Sequence, residues 1–358
     1  MKPFSTLTRM AKIQRFRNLA RSALDTYGLA DARFRFLTQA GNVLFRVYES
    51  APDLPGAGDD PFIPGQYLLR IHDRSEQKAD AIELEMAWLN AIRKDTGLPV
   101  PEPVQAPDGR FLVQVSDPGI PAKRDCTLLR WLRGRFITKN IHPHHFKAQG
   151  EIMAQLHNHA SKWSVPKGLT KRSFDYDGLF CDDVGAGLPN SEAWVLLSDR
   201  HKRAYEAVSR KVKRVMDNWG KGRDVYGLIH GDCGVDANVL FWKGRAHIID
   251  FDGSGFGYYL YDLAIALEHC WNEPGYAQYL NAFIQGYTTF RALTAEQLAC
   301  IDLFRSAFYV YMGLWTVAVD QTSPDSPYKT DRHEKWLDYG LEFIERFLDG
   351  RGGSEGTY

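Results

Sequence analysis

Asp232, Asn238 and Asp250 are the side chains whose types and spacing point most directly to chemistry. They lie in the stretch LIHGDCGVDANVLFWKGRAHIIDFDGSGFGYYLYDL, residues Leu228–Leu263. Val239–Trp242 and Ala246–Ile249 are short β-prone runs around Lys243-Gly244-Arg245, which is a hairpin signal. Centred on Gly244, that hairpin makes Asn238 and Asp250 cross-strand neighbours, about 5 Å apart. An amide oxygen and a carboxylate converging there suit a hard divalent cation such as Mg²⁺. Asp232 lies just upstream, after the strand-like Val225–Ile229. Three oxygen donors of this kind suit phosphoryl transfer. One carboxylate takes or orients the acceptor's hydroxyl proton, and the other two groups hold Mg²⁺ on nucleotide phosphates. Taken singly, Asp232 and Asp250 read equally well as turn residues, and Asn238 as the start of a strand.

Together, the pattern HGD…N…IDFD…G…DLA resembles the aminoglycoside phosphotransferase/choline kinase superfamily, a branch of the protein-kinase-like fold. HGDC is most similar to its bacterial stress-response kinase branch. The resemblance implies that Asp232 is the catalytic aspartate, that Asn238 and Asp250 are metal ligands, and that Asp262 braces the catalytic loop. A role as helix N-cap also accounts for Asp262. The chain departs from the family in one place. Asparagine follows the catalytic aspartate by six residues where the family usually has five. Either Gly234 absorbs the extra residue through its backbone freedom, or Asp236 intrudes and alters the metal geometry.

A second constellation precedes this one. Arg70 is a cation inside the apolar run YLLRIH, and by period two it shares a face with Leu68 and His72. In the following helix, Ile82, Met86 and Leu89 form a stripe that contains Glu85. A carboxylate on a buried face is costly unless paired, so Arg70 and Glu85 compensate each other and leave Arg70 donors for phosphate. A purely structural pair, or a Glu85 turned to solvent, remains open. The superfamily resemblance extends to VLFRV, LLRI and ELEMAWL, similar to the family's glycine-loop strand, basic strand and glutamate helix. The loop Gln39–Asn42 offers only Gly41, so any phosphate contact there uses few flexible N–H groups. Cys126–Gly134 sits where the resemblance puts an interlobe hinge, with adenine received by backbone near Leu129 and Trp131. An ordinary core strand explains those residues equally well.

Other candidates read more plainly. His142, His144, His145, His157 and His159 lack metal-ligand spacing and read as surface or capping histidines. Cys233, beside Asp232, reads as an inert packed thiol. Lys171–Asp177 lies where relatives carry a loop near the acceptor pocket, or is a solvated turn.

The elements that must position these groups can be read from pattern. Residues 5–27 form a helix closed by Gly28, its arginines on a solvated face. Strands follow at Arg33–Thr38, Val43–Tyr48 and Gln66–His72, with 51–65 a loop. A helix spans Gln77–Lys94, and further strands span Phe111–Val115 and Cys126–Trp131. Helices are expected at 144–161 and 191–218, a short β-rich centre at 225–252, and helix through most of 258–349. This predicts an α+β, bilobal chain with a small β-rich N-lobe (1–127), a larger mainly helical C-lobe (128–349) and a disordered tail (350–358), and the resemblance implies that the fold is protein-kinase-like. The resemblance implies an ATP (or GTP) and Mg²⁺ site in the interlobe cleft and transfer of the γ-phosphoryl group to a hydroxyl. The acceptor is a small molecule or a protein Ser/Thr; a nucleotide-binding pseudokinase is the alternative, and an antibiotic-modifying enzyme a third.

Composition excludes other classes. The 358 residues carry 44 basic and 44 acidic side chains, without the basic excess of a nucleic-acid binder. The longest uncharged apolar stretch, Ser306–Val319, is shorter than a membrane span and reads as a buried helix. Five widely spaced cysteines without a C-x-x-C pair, and an N-terminus without a secretory h-region, predict a cytoplasmic protein with reduced thiols. Nothing in the pattern speaks to oligomeric state.

Overall fold

A computed structural model describes residues 3–49, 58–73, 78–182, 188–322 and 332–351. The tail from residue 352 and residues 51–57 of the expected loop lie outside them. The chain forms two compact units. One comprises the residues up to Gly134 together with Val165–Thr170, and the other comprises Arg135–Ser164 and the residues from Lys171 onward.

The first unit opens with α1 (Arg9–Thr26), capped by the Thr8 hydroxyl at the Ala11 N–H. Its end is a Schellman turn. Gly28, at φ 77°, lets Leu29 N–H reach Leu24 O at 2.8 Å. Two of its arginines do more than face solvent: Arg15 donates to Gly119 O, and Arg21 to Ala32 O at 2.8 Å. Then come β1 (Arg33–Ala40), β2 (Asn42–Tyr48), β3 (Phe62–Ile71), α2 (Ala79–Thr96), β4 (Leu112–Val115) and β5 (Arg124–Leu132). The five strands form one antiparallel sheet in the order β1-β2-β3-β5-β4. Phe62–Gly65, expected in a loop, belongs to β3. Pro64 and Gly65 are accommodated by a register shift between Phe62 and Tyr67. The strand β5 runs on to Leu132. Phe16, Leu19, Ala23, Phe45, Leu69 and Leu128 build the core between α1 and the sheet. Within this unit the Thr170 hydroxyl donates to Asp80, 2.8 Å away.

The second unit begins with α3 (Pro143–Ala160), β6 (Ser173–Phe174), α4 (Tyr176–Phe180), α5 (Asn190–Leu196) and α6 (Asp199–Trp219). The single helix expected at 191–218 is two, because Leu197 is extended and Ser198 caps α6. The β-rich centre contains β7 (Tyr226–Ile229), β8 (Val239–Trp242), β9 (Arg245–Ile248) and β10 (Gly255–Tyr258). Helices α7 (Tyr259–Ile265), α8 (Tyr276–Thr288), α9 (Ala295–Ala299), α10 (Ile301–Thr322) and α11 (Arg332–Leu348) complete it. Lys171–Asp177 is not a solvated turn. Ser173 and Phe174 pair in parallel with β10, Phe174 is buried, and Asp175 caps α4 at Gly178 N–H. The apolar stretch in α10 is a buried helix, and no helix among the described residues is long and apolar enough to cross a membrane.

Candidate active site

The strand β7 delivers His230, Gly231 and Asp232. Gly231 sits at φ 78°, and a β carbon there would come within 2.9 Å of Gly253 O and press on the Phe174 ring. Only glycine lets the loop turn so close to the segment after Asp250. Asp262, in the first turn of α7, fixes this turn. Its Oδ2 accepts from His230 N–H and its Oδ1 from Gly231 N–H, both at 2.7 Å. The helix cap is Tyr258, so Asp262 braces the loop and does not cap the helix. His157, on α3, adds a third contact to Asp262 at 3.1 Å and accepts or donates at Tyr287 OH, 2.9 Å away. His157 and His159 are thus buried, against the expectation of surface histidines. Position 157 continues the apolar stripe of Phe146, Met153 and Leu156 on α3, which is the signal that would have placed it inside. His142 and His145 do cap that helix. Gln149 of α3 donates to Cys233 O at 2.7 Å. Cys233 is fully buried, and burial pushes its thiol well above the usual range, so it is an inert packed group.

Within the loop, Asn238 Nδ2 donates to Asp232 O at 2.8 Å and to Asp232 Oδ2 at 3.0 Å. The extra residue between them is taken up by a single turn. Ala237 and Asn238 N–H both donate to Gly234 O, at 3.2 and 3.1 Å. Gly234 is not among the left-handed glycines, so the accommodation comes from this turn and not from glycine's freedom. His230 accepts Asp232 N–H on Nδ1 and gives Nε2–H to Ile249 O, at 3.3 and 2.9 Å, which sets one tautomer.

The hairpin register corrects one expectation. Lys243 and Gly244 both have positive φ, 49° and 75°, so they form a two-residue turn. Val239 then faces Ile248, and Asn238 O accepts from Ile249 N–H at 3.0 Å. Asn238 is therefore opposite Ile249, and Asp250 stands one residue beyond. Asp250 is left-handed, φ 67° and ψ 61°, a conformation that aspartate tolerates better than most side chains. The turn Phe251–Gly253 follows. Lys171 holds it, donating to Phe251 O, Asp252 O and Ser254 Oγ at 3.2, 3.1 and 2.7 Å. A β carbon on Gly253 would lie 3.6 Å from that of Asp232, so the two loops are packed together. Asp232 is exposed at the surface of its loop; enclosure by the surrounding protein raises its carboxyl above the ordinary range and the Asp252 charge adds to the rise, while His230 and the Asn238 bond oppose it. Sequence reasoning missed the parts played by Lys171 and Asp252; the second aspartate of IDFD was the available signal for Asp252.

The donor chemistry fits a magnesium ion. With its nitrogen committed to Asp232, Asn238 has its amide oxygen for a cation, and Asp250 supplies a carboxylate. Among the described residues no cluster of three His, Cys, Asp or Glu competes as a metal centre.

In the first unit, Arg70 Nη1 lies 2.8 Å from Glu85 Oε1, with Arg70 2% and Glu85 0% exposed. The pair is real, and Glu85 does not turn to solvent. Gly41 (φ 64°) is the tip of a tight β1–β2 hairpin in which Ala40 faces Asn42, so the expected loop Gln39–Asn42 shrinks to one residue. Leu129 is a buried sheet residue opposite Leu68. Its neighbours are spent, Val104 N–H on Leu128 O and Arg130 N–H on Glu102 O. Backbone alternation turns the N–H and C=O of Leu129 toward Leu68 of β3. Trp131 is half-buried, with the Arg46 guanidinium 4.0 Å above its ring.

Residues 58–298 match the profile of the phosphotransferase enzyme family. The chain belongs to this family. It is a phosphotransferase. Curated relatives include a homoserine kinase of Sinorhizobium fredii, 24% identical over 67% of this chain and 68% of the relative. An uncharacterised Synechocystis protein is 24% identical over 71% of this chain and 66% of its own. The chain thus spans about two thirds of the length of these relatives. Among solved structures, a microcompartment-associated aminopropanol kinase superposes with a TM-score of 0.74 at 24% identity, covering 94% of this chain and 98% of that one. An amicoumacin kinase gives 0.72 at 16% identity, covering 98% of both. The fold of the phosphotransferase is therefore protein-kinase-like and α+β.

Proposed function

We propose that this phosphotransferase moves the γ-phosphoryl group of ATP to the hydroxyl of a small alcohol, with Mg²⁺ as the metal. The observation that carries the reading is the bond from Asn238 to Asp232 across a loop braced by Asp262. It keeps a base beside a metal-ligand amide despite the added residue. Asp232 takes the hydroxyl proton as the acceptor oxygen bonds to the γ-phosphorus and the bond to the bridging oxygen breaks, releasing ADP. The exposed position of Asp232 suits a base that must meet an incoming hydroxyl. Asn238 and Asp250 would hold the metal, which neutralises phosphate charge when bound. Arg70, fixed by Glu85, would bind nucleotide phosphates. Positioning and charge neutralisation supply most of the acceleration. Homoserine kinase and aminopropanol kinase, by their names, act on small alcohols that carry an amine. This favours a small acceptor over a protein hydroxyl, and no observation favours a pseudokinase.

The test is an ATP-consumption screen over small alcohols with the wild type and Asp232→Ala. Removal of a general base is expected to cost about 10²–10⁴-fold in kcat. An equal rate in the variant removes Asp232 from the mechanism.

A further inference from the structure

Three oxygens of the segment after Asp250 converge on one point. Phe251 O, Asp252 O and Ser254 Oγ lie 3.2, 3.1 and 2.7 Å from Lys171 Nζ. An ammonium has three donors, and here each has its acceptor. Ser254 Oγ also donates to Phe251 O, so two of the acceptors are linked to each other. Lys171 is brought to them by its backbone. Phe256 N–H donates to Arg172 O at 2.9 Å, and Ser173 pairs in parallel with Phe256. A β carbon on Gly255 would fall 2.5 Å from Arg172 O, so glycine permits this close approach. The chain between these anchors includes Asp250. Ile249 N–H on Asn238 O fixes the backbone before it, and the turn held by Lys171 fixes the backbone after it. Asp250 itself is exposed and left-handed, a conformation that a residue other than glycine keeps only where its surroundings impose it.

We propose that Lys171 is a positioning residue of the phosphotransfer site, a tethered cation whose hold on Phe251–Ser254 keeps the Asp250 carboxylate ordered for Mg²⁺. The inference deepens the reading of Asp250 as a metal ligand and rests on it. Loss of the ammonium has two opposed consequences. Removing a positive charge close to acidic residues strengthens their pull on a cation. Freeing the turn weakens it, because a ligand that must be ordered on binding gives up affinity. Groups that orient a metal ligand are typically worth about 10–100-fold in metal affinity. The charge effect is damped by salt, so at physiological ionic strength position sets the sign.

The experiment uses the full chain at about 0.15 M salt and Lys171→Met, which keeps an unbranched apolar stem without the charge. ATP is titrated calorimetrically with and without Mg²⁺. The tightening that Mg²⁺ gives to ATP binding is expected to shrink about tenfold in the variant, with metal-free ATP binding unchanged. Hydrogen exchange is expected to quicken at residues 250–254. In steady state, the Mg²⁺ concentration for half-maximal rate is expected to rise by a similar factor, and KM for the alcohol found in the screen above to stay the same. Partial unfolding alone lowers the rate without moving the Mg²⁺ requirement. Ser254→Ala, which removes one of the three acceptors, is expected to shift the Mg²⁺ effect the same way by less, and it carries the test if Lys171→Met does not fold. The proposal is overturned if the folded variant keeps or enlarges the wild-type Mg²⁺ effect, if exchange at 250–254 is unchanged, or if KM for the alcohol moves in place of the Mg²⁺ requirement. Failure of the underlying metal reading looks different: Asp250→Asn then binds ATP with Mg²⁺ as tightly as the wild type does.

Discussion

Asp262 spends both carboxylate oxygens on the loop that presents Asp232, and His157 shares one of them. Two of these contacts are buried and the one to Gly231 is partly so, and each buried donor lost leaves an unsatisfied group, at about 1–3 kcal/mol apiece. Burial lowers the His157 pKa below 6.5, and the Asp262 bond only partly opposes this. The neutral ring can give Nε2–H to Asp262 while Tyr287 OH serves Nδ1. Below pH 6.5 the unfolded chain takes a proton at this histidine that the folded chain refuses. Stability from His157 is therefore full above that pH and declines as pH falls toward the folded value. We expect the melting temperature to fall between pH 7.5 and 5.5, with a smaller fall in His157→Gln. Burial also lowers His145 and His201, so part of the slope remains. Scanning calorimetry at the two pH values decides it; equal slopes in both proteins would remove His157 as a source.

At the scale of elements, α3 carries both Gln149 and His157 to the catalytic loop, and its placement depends on two glycines. A β carbon on Gly150 would fall 2.2 Å from Phe283 O, and one on Gly286 2.0 Å from Lys147 O. Both obstacles are backbone, so α3 and α8 would have to separate. Gly286→Ala is expected to cost about 1–3 kcal/mol, the usual range for overpacking, and to lower kcat by displacing α3. Urea midpoints and steady-state rates on the same preparation test both effects; a variant as stable and active as the wild type contradicts the close approach. None of this was legible beforehand, because a glycine inside a helical pattern does not name its partner. The strands β6 and β10 escaped for a related reason: runs this short carry no periodicity. The hairpin was legible, but its register was not, since Gly244 attracts the centre of the turn while Lys243 shares the left-handed conformation. By contrast, the Arg70–Glu85 pair followed from the cost of burying one charge alone, and the structure forms it.

For the molecule as a whole, patterning was enough for the class of fold. An early run of alternating strands with one inserted helix, followed by helical stripes, appears as a five-stranded sheet unit and a mainly helical unit. The division after Gly134 falls where the strand-rich pattern gives way to helical stripes, while the return of Val165–Thr170 to the first unit was not legible, because so short a segment carries no pattern that assigns it to either unit. Charge is a property of the whole chain. Equal numbers of basic and acidic side chains give a formal net charge of zero at pH 7 and a pI of about 7.2. Without net repulsion, colloidal stability is weakest near neutrality. Moving to pH 9 takes the remaining protons from histidine and from the α-amino group, which leaves the C-terminal carboxylate uncompensated and the chain slightly negative, and moving to pH 5.5 charges accessible histidines and makes it positive. Polyethylene glycol precipitation between pH 5.5 and 9 at low salt should therefore show minimum solubility close to pH 7. Added salt should flatten the rise on either side, since screening removes the repulsion that causes it. A solubility that climbs steadily through pH 7 would mean that the exposed charges are not balanced as the composition implies.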